Sequence, residues 1–125
     1  MSMIGTHGDL LELIMEGRAL TPYAAGDVVF NRGDECDGMY LVGRGAVALK
    51  HGDRVIETVT APGLFGELAV IESEPRSLTA IAETDAGLLK LTEHQFWVLV
   101  HDTPYFAQVV MHVMARRLRR NDATS

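Results

Sequence analysis

A mainly β domain with helices at both ends is the fold class this sequence predicts. Three observations carry that expectation. From Arg18 to Thr92 short apolar runs alternate with glycine-bearing turns, the pattern of a β-sandwich or barrel. The segments before and after that stretch change to helical spacing. At 125 residues the chain is long enough for one domain that buries on the order of two-thirds of its unfolded surface, so residues 1–125 are taken as one unit.

The first helix is expected over residues 8–17. Leu10, Leu11, Ile14 and Met15 share a face, Gly17 stops the turn, and His7 or Asp9 is placed to cap its start. Strands are expected at Arg18 to Tyr23, Val28 to Asn31, Met39 to Val42, Ala46 to Lys50 and Val55 to Thr60, then at Leu78 to Ala82 and Gly87 to Thr92. Gly26, Gly33, Gly38, Gly43, Gly45 and Gly52-Asp53 fall between them as turns. A short helix then runs from Glu93 to His101, with Thr92 as its N-cap and Phe96, Trp97 and Val100 on one side. Asp102-Thr103-Pro104 breaks the pattern, and a last helix runs from Phe106 to about Arg120.

Between the strands lies the stretch that carries the chemistry, Gly63 to Ser77, read as a loop with one embedded helical turn. Gly63 and Gly66 allow a close backbone approach. The turn that starts at Glu67-Leu68-Ala69 leaves its first N–H groups unpaired, an arrangement suited to an anion. Arg76 follows Pro75 and offers a planar fork matched to two phosphate oxygens. Glu67, an acceptor with no basic neighbour in sequence, suits sugar hydroxyls. Anion donors beside a hydroxyl acceptor describe a phosphorylated sugar.

Phe65-Gly66-Glu67-Leu68-Ala69 followed by Pro75-Arg76-Ser77 resembles the phosphate-binding cassette of the cyclic nucleotide-binding domain family, which includes catabolite activators, protein kinase A regulatory subunits and cyclic-nucleotide-gated channels. Gly33-Asp34, Gly38-Met39-Tyr40-Leu41-Val42 and Gly45-Ala46-Val47 are similar to that family's glycine signature, so the resemblance spans nearly the whole chain. It implies an eight-stranded, jelly-roll-like β-roll with an N-terminal helix and two C-terminal helices. It also implies a sensor of a 3′,5′-cyclic purine mononucleotide, cyclic AMP before cyclic GMP, that does no chemistry on its ligand. On this resemblance Gly66, Leu68, Ala69, Arg76 and Ser77 hold the phosphate and Glu67 the ribose 2′-hydroxyl. Asn121 and Asp122 fall near where catabolite activators read the adenine. Leu78 departs from the family's small residue at that place.

Other constellations are weaker. A cupin-like enzyme needs a strand-borne histidine pair with a carboxylate, and of the 5 histidines (His7, His51, His94, His101 and His112) only His51 stands in the strand region. No nucleophile has a sequence-visible base, and neither a metal nor a cofactor is expected. The net charge of −6 argues against non-specific nucleic-acid binding, and Arg116, Arg117, Arg119 and Arg120 are read as complementing a helix C-terminus. The single cysteine, Cys36, fits a reducing compartment. No apolar run approaches the ~20 residues of a membrane span, and no secretory signal is read at the start, so a cytoplasmic location is expected. A β-roll without ligand, serving as a protein-interaction module, is the alternative function.

The last helix carries the expected output. On a wheel of ~100° per residue, Phe106, Val109, Val110, Met111, Val113, Met114 and Leu118 cover roughly 200°, whereas one buried face needs about 100°. The surplus predicts a second apolar partner over residues 104–120: a twin in a homodimer, the purine, or an effector protein. No helix-turn-helix follows, so the DNA-binding output of catabolite activators is not expected.

Overall fold

The computed structural model describes the chain from His7 to Thr124, with side chains from residue 8 to residue 119. Its elements in order are α1 (His7–Met15), β1 (Thr21–Tyr23), β2 (Val28–Phe30), β3 (Gly38–Arg44), β4 (Ala46–His51), β5 (Arg54–Thr60), β6 (Gly63–Phe65), α2 (Glu67–Glu72), β7 (Thr79–Ala82), β8 (Ala86–Thr92), α3 (Glu93–Asp102) and α4 (Pro104–Thr124). The strands form two 4-stranded antiparallel sheets, ordered β1-β8-β3-β6 and β2-β7-β4-β5. The expected eight-stranded roll with flanking helices is therefore present.

Two apolar clusters hold it together. Between the sheets, Tyr40, Val42, Val47, Leu49, Val59, Phe65 and Leu88 are buried together. On the outer face of the first sheet, Met39, Leu41, Leu64, Leu89 and Leu91 pack against Leu10, Leu11 and Met15 of α1, Phe96 of α3, and Phe106, Val109 and Val110 of α4. Alternation along β3 explains the split, since successive side chains point to opposite faces of a strand. Met39 and Leu41 face the helices while Tyr40 and Val42 face the other sheet.

The helix ends follow their sequence signals. Thr92 caps α3 in a capping box, its hydroxyl accepting from the Gln95 amide at 3.1 Å and its own amide donating to the Gln95 side chain at 2.9 Å. Gly17 leaves α1 with φ 73. Because α1 starts at His7, Asp9 sits inside its first turn rather than capping it.

Three expectations need correcting. Gly63 to Phe65 is a strand rather than a loop, because it pairs with Val42, Leu41 and Tyr40 of β3. β1 covers only the last part of Arg18 to Tyr23. Gly38 and Gly43 lie within β3 rather than in turns, and a Cβ at Gly43 would come within 2.4 Å of Leu20. No helix among the described residues is long and apolar enough to cross a membrane.

Candidate functional site

Pairing of β6 with β3 delivers the chain to Gly66 beside the inter-sheet core. Gly66 precedes α2 with φ 84 and ψ 4, and a Cβ there would lie 2.8 Å from Nη1 of Arg76. Both the left-handed backbone and the close approach require glycine. The chain leaves α2 through Ser73 (φ 54), with the Glu74 amide donating to the Ala69 carbonyl at 3.1 Å.

Arg76 then returns under the turn at 33–34. Its amide donates to the Asp34 carbonyl at 2.9 Å, and its carbonyl accepts from the Gly33 amide at 2.8 Å. Its side chain is buried, only 3% exposed for the residue as a whole. Nη1 donates to the Gly66 carbonyl at 2.9 Å and Nη2 to the Gly38 carbonyl at 2.5 Å. The guanidinium lies 4.1 Å from the centroid of Phe30, and Phe30 belongs to a ring cluster with Tyr40 and Phe65. Such a face favours a cation. Neither Glu72 nor Glu74 pairs with it. The nearest carboxylate, Asp37, is 3.8 Å away and largely exposed, too far for a hydrogen bond. The buried Nε of Arg76 has no partner.

Asp37 is engaged instead by Lys90, across the β3–β8 edge. The Lys90 hydrogen bond holds the Asp37 carboxyl below its ordinary range against the opposing effect of burial, and the same bond pushes the Lys90 ammonium up. Burial raises the Tyr40 hydroxyl.

A cavity of about 390 Å³ opens in front of Arg76, within the range of small-ligand sites. Gly66, Glu67, Leu68, Ala69, Arg76 and Ser77 all line it, so the structure brings the predicted cassette residues to one wall. Ser77 is exposed to the opening. Leu78 does both things its position allows: it packs against the inter-sheet core and also forms part of the cavity wall. Asn121 and Asp122 lie in the last turns of α4, and their side chains are outside the described residues.

One reading of the sequence is extended here and another is overturned. Glu67, which has no basic neighbour in sequence, is buried (2% exposed) and paired with Nη1 of Arg117 from 50 residues away. Its other oxygen accepts from the Leu68 amide at 3.1 Å. Arg117, read as a dipole complement at a helix end, is turned inward. Its Nε and Nη2 donate to the two oxygens of Glu57 at 2.8 and 3.1 Å, and Nη2 also donates to the Leu64 carbonyl at 3.0 Å. One guanidinium thereby joins α4, β5 and the cassette. The signal was present in the helical phase: on the same wheel Arg117 falls about 20° from Phe106, in the middle of the buried face. Among the described residues no group of three His, Cys, Asp or Glu is placed to hold a metal ion.

A glycine-started turn and a buried arginine on one cavity wall make this a β-roll domain with a small-ligand-sized pocket. The cyclic nucleotide-binding domain family matches residues 20–103, and the chain belongs to that family. It is 33% identical over 105 residues to the cyclic AMP receptor protein of Thermus thermophilus, covering 80% of this chain and 49% of that protein. The crystal structure of Thermus thermophilus catabolite activator protein superposes with a TM-score of 0.75 at 29% identity, over 93% of this chain and 55% of that one. A chain solved in work on a cyclic-GMP-dependent signalling pathway in bacterial phytopathogenesis superposes with a TM-score of 0.74 at 27% identity, over 91% of this chain and 94% of that one. The chain spans less than half the length of the curated relatives it matches.

Proposed function

We propose that this domain is a sensor that binds a 3′,5′-cyclic purine mononucleotide, leaves it chemically unchanged, and signals through α4. The observation that carries this reading is the buried, unpaired Nε of Arg76 in the cavity wall. A desolvated guanidinium with an open donor and no carboxylate within hydrogen-bond reach is costly. An anion entering the cavity supplies the missing acceptor. The α2 amides and the Ser77 hydroxyl give further donors for the same phosphate, and Glu67 accepts from the ribose 2′-hydroxyl. Asn121 and Asp122 are assigned to the base end. Cyclic AMP is the ligand favoured by the name of the Thermus receptor. Cyclic GMP is the second reading, favoured by the cyclic-GMP-dependent pathway named for a structural match that covers 91% of this chain and 94% of that one.

The output follows from the position of α4. Phe106, Val109 and Val110 are buried against the roll, while Met111 and Leu118 stay exposed at 59% and 63%. These two are seven residues apart on one stripe, and that stripe is the surface offered to a twin helix or an effector. Its apolar character also supports the alternative reading as an interaction module without ligand.

Calorimetric titration with cyclic AMP and cyclic GMP tests the sensor, and micromolar or tighter binding of either is expected. The 2′-deoxy analogue should bind more weakly, and Glu67→Gln should narrow that difference. Hydrogen exchange should show α4 changing protection when nucleotide binds. Absence of any nucleotide binding overturns the sensor reading in favour of the interaction module; protection changes confined to residues 63–77 overturn the role of α4.

A further inference from the structure

The cavity in front of Arg76 has a neighbour. Strands β5 and β6 part at the Ala61-Pro62 turn, and each is the outer strand of its own sheet. Arg117 bridges them further along, donating to Glu57 on β5 and to the Leu64 carbonyl on β6. Between turn and bridge, with α4 along one side, lies a cleft of about 620 Å³, again within the range of small-ligand sites. Glu57 and Arg117 line both this cleft and the cavity of Arg76. The two spaces therefore share one ion-paired wall.

The cleft is amphipathic. Leu11 of α1, Val59, Leu64 and Val109 line it and are all buried, which gives it an apolar floor. Along α4, Tyr105, Val109, Val113 and Arg116 recur at helical spacing on the side that lines it. Thr58 and Thr60 line it from β5, and an outer strand carries main-chain groups that no neighbouring strand pairs. Its two arginines differ in what they have left to offer. Arg117 is committed to two carboxylates and a carbonyl. Arg116 is exposed and makes no hydrogen bond or ion pair among the described residues. Glu57 is the one carboxylate among the lining residues, and both its oxygens accept from Arg117. A gap beside a helix is by default a packing defect that holds solvent. This one exceeds the neighbouring cavity in volume and combines a buried apolar floor with an uncommitted cation.

We propose that the cleft is a second ligand site, for a small amphipathic carboxylate, and that its occupant opposes nucleotide binding. The carboxylate pairs with Arg116, and the apolar body covers Leu11, Leu64 and Val109. An amide in the ligand finds partners on the outer edges of β5 and β6. So bound, the ligand ties α4 to both edge strands, the same elements that Arg117 ties. It therefore favours the arrangement in which Arg117 holds Glu67. In the proposed binding mode, on which only this coupling rests, Glu67 is the acceptor that the ribose needs. An apolar side chain beside an amide and a carboxylate is found in an acylated amino acid and at the C-terminal end of a peptide.

Titration of isotope-labelled protein with N-acetyl-leucine, followed by NMR, tests the site. Methyl signals of Val59, Leu64, Val109 and Val113 should shift together, with a dissociation constant below about 1 mM. N-acetyl-leucinamide, which lacks the charge, should bind about fivefold weaker. Arg116→Gln should weaken the acid by about the same factor and leave the amide unchanged. Val113→Phe, which narrows the cleft, should weaken both. Arg116 is exposed, so its variant keeps the test decisive if Val113→Phe does not fold. Tighter binding of Ala-Ala-Leu than of N-acetyl-leucine assigns the site to peptide ends, and weaker binding assigns it to free acids. Saturating acid should raise the dissociation constant of cyclic AMP by about fivefold, and Arg117→Met should abolish that effect. Absence of methyl shifts, or equal binding of acid and amide by wild type, overturns the site. Cyclic AMP affinity indifferent to the acid overturns the coupling. Because acid binding is read directly, a chain that binds no nucleotide overturns the sensor and leaves the second site standing.

Discussion

Replacing Arg117 with methionine removes the guanidinium that ties α4 to the cassette and keeps a side chain of similar reach. Four contacts disappear: two donations to Glu57, one to Glu67 and one to the Leu64 carbonyl. Breaking a buried pair from one side costs about 3–5 kcal/mol, because the remaining charge stays desolvated. Here the figure must be reduced, since the side chains of Arg117 and Glu57 are 20% and 17% exposed. Glu67 also keeps the Leu68 amide. The expected loss is about 2–3 kcal/mol, nearly all of it from stranding Glu67, whose side chain is 3% exposed. Urea denaturation of wild type, Arg117→Met, Glu67→Gln and the double variant gives the coupling directly. Neutralising Glu67 as well should recover at least about half of the loss, because the most deeply buried of the stranded charges is then gone. A single-variant loss below about 0.5 kcal/mol, or additive losses in the double variant, would refute the claim that this contact holds the helix down.

Three further outcomes are expected. Arg76→Ala should weaken nucleotide binding by about 30- to 1000-fold. It should also lower stability, because the side chain stacks on Phe30 and donates to the Gly38 and Gly66 carbonyls; intact affinity by calorimetry removes Arg76 from the phosphate site. Gly66→Ala should destabilise by about 1 kcal/mol or more from its left-handed backbone alone, with extra cost from the approach to Arg76, and a thermal melt matching wild type would contradict the described turn. The Asp37–Lys90 pair should contribute under about 1 kcal/mol, as exposed pairs do. Because the folded Asp37 carboxyl is lowered, that contribution is present above the ordinary aspartate value near pH 4 and fades as pH falls through the lowered value. Comparing wild type with Asp37→Asn by chemical denaturation at pH 7 and pH 2 checks this, and a difference that persists unchanged at pH 2 rejects it.

The roll, most of its glycine turns and the Thr92 N-cap of α3 were legible in the sequence because their signals lie in residues close together along the chain. Gly63–Phe65 was not, since three residues carry no periodicity and become a strand only by pairing with Tyr40–Val42. The cassette residues were legible as a group, and the structure sets them on one cavity wall. What the local pattern around Glu67 could not disclose is its partner, which lies 50 residues away on another element. Arg117 was obscured for a different reason. Its place in an arginine-rich segment suggests a solvated helix end, whereas its helical phase puts it on the buried face. Arg76 showed a related limit: the fork was recognised as a ligand group, but its aromatic face and two carbonyl acceptors come from strands distant in sequence.

Glu67 stands between two claimants, the helix through Arg117 and, in the proposed binding mode, the ribose. A carboxylate shared in this way makes ligand affinity and helix position a single thermodynamic quantity. Any factor by which nucleotide alters a partner's affinity for the Met111–Leu118 stripe must reappear, unchanged in size, as that partner's effect on nucleotide affinity. A dissociation constant measured on the isolated chain then describes the isolated chain only. Within an assembly that grips α4, the same cavity answers to a different concentration of nucleotide, with no residue of the cavity altered.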